Sequence, residues 1–191
     1  MSQPDIFNNS RERLFIPALG PFYDKFAQPI GWSVLRIAMG LSLAYAGWPK
    51  IQNPFAMTGF VESIGFAPGW LFSPLLAGIL FFGGLLLAAG LFTRPVALAC
   101  GVAILVTLYY HIIAPYPPVF LTAEGIEALT ANPEYFTPGA AYHLKDGGAA
   151  FLAMAQSKAL TNSFYWAGGI LLFAAFGGGY FSLDQLIKKK F

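Results

Sequence analysis

The chain has 191 residues, of which 57% are hydrophobic and only 10% charged, and its mean hydropathy is +0.60. A soluble domain needs a larger charged surface than this, and a net charge of +2 is too small to suggest a nucleic-acid binder. A single cysteine, Cys100, excludes an intrachain disulfide, and two histidines, His111 and His143, are too few for a dedicated zinc site.

Residues 1–28 mix Arg11, Arg13 and Lys25 with Asp5, Glu12 and Asp24, and the apolar patches between Phe15 and Phe26 suit a membrane interface. The first span reads from Pro29 to Trp48, about 30 Å of helix or one hydrocarbon thickness. Pro29 fits a first turn, where its missing N–H costs nothing. Trp32, Tyr45 and Trp48 lie near the two ends, at headgroup level. Arg36 is the one charge inside. An arginine there costs about 2.5–3.5 kcal/mol, so it should face protein or water. Arg36, Gly40, Gly47 and Lys50 fall on one stripe at 100° per residue, and the glycines admit a close neighbour. Three roles stay open for Arg36: snorkelling to the nearer surface, a structural bond to a carboxylate or carbonyl, or contact with a substrate or cofactor. Ala44-Tyr45-Ala46 matches a signal-peptide cleavage pattern, but the leader is long and Arg36 interrupts it, so the span is expected to be retained.

In the loop 49–68, Phe55, Phe60, Val61, Ile64 and Phe66 recur near a helical turn and predict a short interfacial helix. Glu62, the loop's one acid, is either a solvated carboxylate or an ion-pair partner for Lys50. The second span, 69–92, carries no charge, and Gly83, Gly84, Ala88 and Gly90 give it a face for close packing. The short turn Thr93-Arg94-Pro95 sends the third span, 95–116, back antiparallel. His111 sits there among Tyr109, Tyr110 and Tyr116, as an interfacial hydrogen-bonding residue or as a proton or cofactor ligand. Prolines 117, 118, 133 and 138 break the long connection 117–162, which is expected to fold over the outer face, with a short helix from Ala149. The fourth span reads 163–181. Ser182 with Gln185 reads as a capping box, and Lys188-Lys189-Lys190 suits an anionic lipid surface. The expected fold is an all-α antiparallel bundle of four transmembrane helices with short interfacial helices.

Four crossings put both termini on one side. Arg11, Arg13, Lys25, Arg94 and Lys188–Lys190 share that side, so the positive-inside rule places both termini in the cytoplasm of a bacterial-type inner membrane. The domain plan is a cytoplasmic segment 1–28, a membrane domain 29–187 with an extracytoplasmic loop 117–162, and a basic tail 188–191. The sequence has no phosphate-binding loop, dinucleotide-binding fingerprint, H-E-x-x-H or G-x-S-x-G, and spans two to four contain no carboxylate.

Several short motifs, in order and at consistent spacing, resemble the DoxX family of small four-helix membrane proteins. They are Leu35-Arg36-Ile37, Gly40, Ala46-Gly47 and Lys50-Ile51 in span one, then Phe60 and Ser63-Ile64-Gly65-Phe66 in the loop. Gly83-Gly84 and Gly90-Leu91-Phe92-Thr93-Arg94 follow, then His111 and the tail Phe181-Ser182-Leu183-Asp184. The chain departs from the family where a glutamate often precedes the paired glycines: Leu80 stands there, so the acid's service is either absent or falls to Glu62. The long loop 117–162 is a second departure. The resemblance implies a membrane subunit of a quinone-linked redox system related to thiosulfate or thiol stress, with no covalently bound cofactor and no metal. Arg36, Tyr45, Lys50 and His111 would then line a quinone cleft. Membrane lipid and a redox partner, or a second copy of the chain, are the implied partners, and nucleic acid is not. A non-catalytic anchor for a partner enzyme and a small-solute transporter around Arg36 are the competing readings.

Overall fold

In the computed structural model, which describes residues 14–188, every regular element among the described residues is helical. Arg11, Arg13, Lys189 and Lys190, which enter the charge-bias argument, lie outside the described residues. Among the described residues, four helices are long and apolar enough to cross a membrane: Pro17–Gln52, Gly69–Ala89, Thr93–Ile113 and Ala149–Phe176. The protein is an all-α, multi-pass membrane protein.

The first of these starts well before Pro29. A 3-10 turn at Pro17–Leu19 leads into α1 (Gly20–Phe22), a π-helical turn at Tyr23–Ala27, and then α2 (Gln28–Gln52). The π-turn has a cause in the sequence. Pro29 has no N–H to give, and its ring crowds the carbonyl one turn back. The coil widens just ahead of it, where the Gln28 N–H reaches the Tyr23 carbonyl. After α2 comes the short helix α3 (Thr58–Ser63) that the aromatic spacing predicts, with Val61 buried. Next is α4 (Gly69–Ala89), ended by Gly90 at φ +72, where a residue with a Cβ would be strained. The Gly90 and Leu91 N–H groups turn back onto the carbonyls of Leu86 and Leu87. Then α5 (Thr93–Ile113) runs to just short of Pro115, which biases the residue before it away from helix, so the helix stops before Tyr116.

The long connection is mostly helical. It contains α6 (Ala123–Ala131), a 3-10 turn at Pro133–Tyr135, and α7 (Pro138–Leu144). Thr122 and Thr137 cap the two helices, accepting from the N–H groups of Gly125 and Ala140. The sequence reading places a break before the fourth span; the structure has none. A single helix, α8 (Ala149–Phe176), covers the expected short helix and most of span four. The polar stretch Gln156 to Ser163 contains no glycine or proline, so nothing stops propagation. Gly177, at φ +81, ends it before Phe181. The last element, α9 (Leu183–Leu186), is capped by Ser182, whose hydroxyl accepts from the Gln185 N–H as the capping box predicts.

The chain divides into two compact units, one of them Val102–Gly168 and the other the residues before and after it. In the flanking unit, α2 and α4 meet backbone to backbone. A Cβ on Gly40 would lie 2.4 Å from the Ala88 nitrogen, one on Gly47 2.6 Å from the Phe81 nitrogen, and one on Gly84 2.5 Å from the Ala44 nitrogen. These pairs run antiparallel in register, as small-residue faces allow. Leu43, Ala77, Leu80, Leu87, Ile170 and Phe173 fill the core of this unit. In the unit Val102–Gly168, Gln156 ties two turns. Its Nε2 donates to the His111 carbonyl at 2.6 Å, and its Oε1 accepts from the Tyr116 N–H at 3.1 Å. Asp146 opens α8 there, accepting from the N–H groups of Ala150 at 2.9 Å and Gly148 at 3.1 Å.

Candidate functional site: a buried arginine under the C-terminal tail

Arg36 is the largest fully buried side chain among the described residues, only 1% exposed. Its place on α2 follows from the stripe it shares with Gly40 and Gly47, which turns that face onto α4. One turn beyond the last close contact of α2 with α4, the guanidinium reaches the end of α4. There it packs on Gly90 so closely that a Cβ on Gly90 would lie 1.3 Å from Nη1. Its Nη2 donates to the Phe181 carbonyl at 2.7 Å. Nε and Nη1 have no hydrogen-bond partner among the described residues, and neither has the Thr93 hydroxyl, also fully buried.

The tail reaches Arg36 because the glycines after α8 turn it back. Trp32, one turn before Arg36 on α2, donates its indole N–H to the Gly177 carbonyl at 2.9 Å and stacks edge-on against Phe173 at 4.8 Å. The Ser182 hydroxyl donates to the Gly179 carbonyl at 2.7 Å. Asp184 then docks on the turn between α4 and α5. Its two carboxylate oxygens accept from the N–H groups of Phe92 at 2.8 Å and Thr93 at 2.9 Å, and its own N–H donates to the Gly90 carbonyl at 2.9 Å. A carboxylate on the first turn of a long helix is favoured by the helix dipole and satisfies N–H groups that the helix cannot. Asp184 is also the charge that acts electrostatically on Arg36. The pair holds the first span, the turn between the second and third, and the tail at one point.

Lys50 and Tyr45 lie elsewhere on α2. Lys50 shares a face with Arg36 but sits about 21 Å further along α2, where its ammonium donates to the Ala46 carbonyl at 3.1 Å. Tyr45 is 83% exposed and turned away from the α2–α4 contact. His111, in the unit Val102–Gly168, stands beside Tyr110 and Tyr116, with ring centroids 5.7 and 6.0 Å away. Glu62 accepts from the Gly69 N–H at 2.7 Å and so caps α4; no ion pair with Lys50 is present among the described residues. Nearby, the buried Ser73 hydroxyl donates to the Pro54 carbonyl and accepts from the Met57 N–H at 3.2 Å. Sequence reasoning quoted Asp184 within a tail motif but gave it no role. The signal available was the capping box, which places a helical turn at that acid.

Outside the spans, two carboxyls are held below their usual range. Hydrogen bonds from the backbone do this, led by the Ala150 N–H for Asp146 and by its own N–H, then the Thr122 side chain, for Glu124.

A multi-pass membrane protein whose first span carries a buried arginine, closed by a helix turn and by a tail that brings in Asp184, is the class that this architecture defines. The family described as DoxX matches residues 31–112, from the first turn of α2 to the last turn of α5. The chain is also 30% identical over 167 residues to the inner membrane protein YqjF of Escherichia coli (strain K12), a match covering 87% of this chain and 98% of that relative. The chain belongs to the DoxX family. No solved structure matches it.

Proposed function

We propose that this protein is a multi-pass inner-membrane subunit of a redox system and that it acts by anchoring and organising a partner enzyme rather than by chemistry of its own. The observation that carries this reading is the use made of Arg36. The buried cation of α2 bonds the tail and packs on Gly90 at the end of α4, and Tyr45 and Lys50 do not converge on it. Membership of the DoxX family supports the redox association, and the name of the Escherichia coli relative supports the inner membrane. In this reading both termini are cytoplasmic, residues 29–187 form the membrane domain, and the helical connection 117–162 is the extracytoplasmic surface offered to a partner. Purification of the full chain from native membranes in mild detergent tests it. A redox enzyme should co-purify, and it should be lost when residues 122–144 are replaced by a short linker. Recovery of the chain alone overturns the reading. Reporter fusions at both ends test the orientation.

A quinone-linked role has one specific observation in its favour. Arg36 Nε and Nη1 and the Thr93 hydroxyl are buried donors without a partner among the described residues, the kind of group that hydrogen-bonds a quinone oxygen. Added quinone should then raise the thermal stability of the purified protein, and Thr93→Val should reduce that gain.

A further inference from the structure

The tail 177–188 has its polarity turned inside out. Three of its polar groups face inward, the Phe181 carbonyl on Arg36, the Asp184 carboxylate on α5 and the Ser182 hydroxyl on the Gly179 carbonyl, while Gln185 and Lys188 are exposed. Its apolar side chains face away, with Tyr180 72%, Phe181 63% and Leu186 77% exposed and Leu183 and Ile187 also turned outward. A segment against water shows the opposite pattern, so its outer face calls for a non-aqueous neighbour.

Depth and charge identify that neighbour. The tail leaves α8 at the level of Trp32, whose indole bonds the Gly177 carbonyl. That is four residues, or about 6 Å, from Arg36 toward the start of α2, and a tryptophan favours the headgroup layer. The exposed cations beside the tail are Arg94, whose side chain lies against Gly177, and Lys188, with Lys189 and Lys190 following in sequence. The tail's own carboxylate is turned inward. The outer face is therefore apolar with a cationic rim, continuous with the ends of helices that cross the membrane.

We infer that the tail 177–188 is a membrane-surface strap that seats on anionic phospholipid, and that lipid on its outer face keeps its inner face closed over Arg36. The coupling is mechanical. The strap is one short turn of helix between glycines and lysines, so a force that holds Leu186, Ile187 and Lys188 at the headgroups also holds Asp184 on α5.

Hydrogen exchange of the backbone amides of residues 178–188 tests this, using the full-length chain in bilayer discs of phosphatidylcholine with or without phosphatidylglycerol. Phosphatidylglycerol should slow the exchange. Replacing Lys188, Lys189 and Lys190 by Gln should speed it in the anionic discs by roughly fivefold per lysine removed and erase the difference between the two lipids. Lys188 is exposed and makes no contact with Arg36, so the spans should stay folded. Leu186→Ser with Ile187→Ser should raise exchange in both lipids. Exchange that is the same in both lipids overturns the inference. So does protection that appears only when another protein co-purifies, which would assign the face to a protein partner.

Discussion

The two ends of the α2–α4 pair are closed by different chemistry. At the Ser73 end, a buried neutral hydroxyl and a capping glutamate hold the loop between the two helices, and every group involved lies within 19 residues of its partner. At the Arg36 end the closure uses a buried cation and an acid, brought from positions 145 and 92 residues away from the groups they bond. The neutral closure follows from the connection being short. The charged one depends on the whole chain having folded, and it is the more costly to leave half made, because a buried charge without its complement is penalised far more than an unmade neutral hydrogen bond.

That difference is open to mutation. Asp184→Ala should have the largest effect, because it strips two N–H groups from the start of α5 and leaves Arg36 without its counter-charge. We expect a loss of about 3–6 kcal/mol from the two hydrogen bonds to the carboxylate, measured by unfolding in detergent. The double variant Arg36→Met with Asp184→Ala should recover only the part of that loss that comes from the buried charge, so the two changes should be non-additive. Gly40→Ala comes next. Its new Cβ has no room against α4 and should cost about 1–3 kcal/mol, whereas Gly78→Ala, at a helical glycine with open space around it, should be neutral or slightly stabilising. Ser73→Ala should cost about 1–2 kcal/mol and raise hydrogen exchange between Asn53 and Met57 while leaving the tail unchanged. The smallest effect belongs to Asp146, which caps α8 from an exposed position. Its carboxyl is held below the usual range, so its contribution is complete above the unfolded value and disappears as pH falls through the lower folded one. Exchange at Gly148 and Ala150 should rise in acid below about pH 4, and Asp146→Asn should remove that dependence.

What was legible beforehand follows the same division. Periodicity places Arg36, Gly40 and Gly47 on one face because a helix repeats over a few residues, and the structure puts that face against α4. It places Lys50 on the same face equally well, but sharing a face says nothing of depth along the axis, and 14 residues of helix separate Lys50 from the site. The continuity of α8 was hidden by polar residues that read as a loop, although none of them breaks a helix. Asp184 could not be found by searching the spans for an acid, because it approaches from outside them through a glycine turn. The Gly90 contact with Arg36 was equally out of reach, since only the folded chain brings a left-handed helix end over a guanidinium.

The distance between Arg36 and the tail also sets a clock. The ribosome makes Arg36 first and must add 145 more residues before the Phe181 carbonyl exists, roughly 7–30 s at ordinary bacterial elongation rates. Throughout that interval the newborn first helix lacks the carbonyl that its guanidinium bonds in the finished fold. A chain stalled or cut before the last dozen residues would have made the arginine but neither Phe181 nor Asp184, and so would carry a cation without the two groups that close over it.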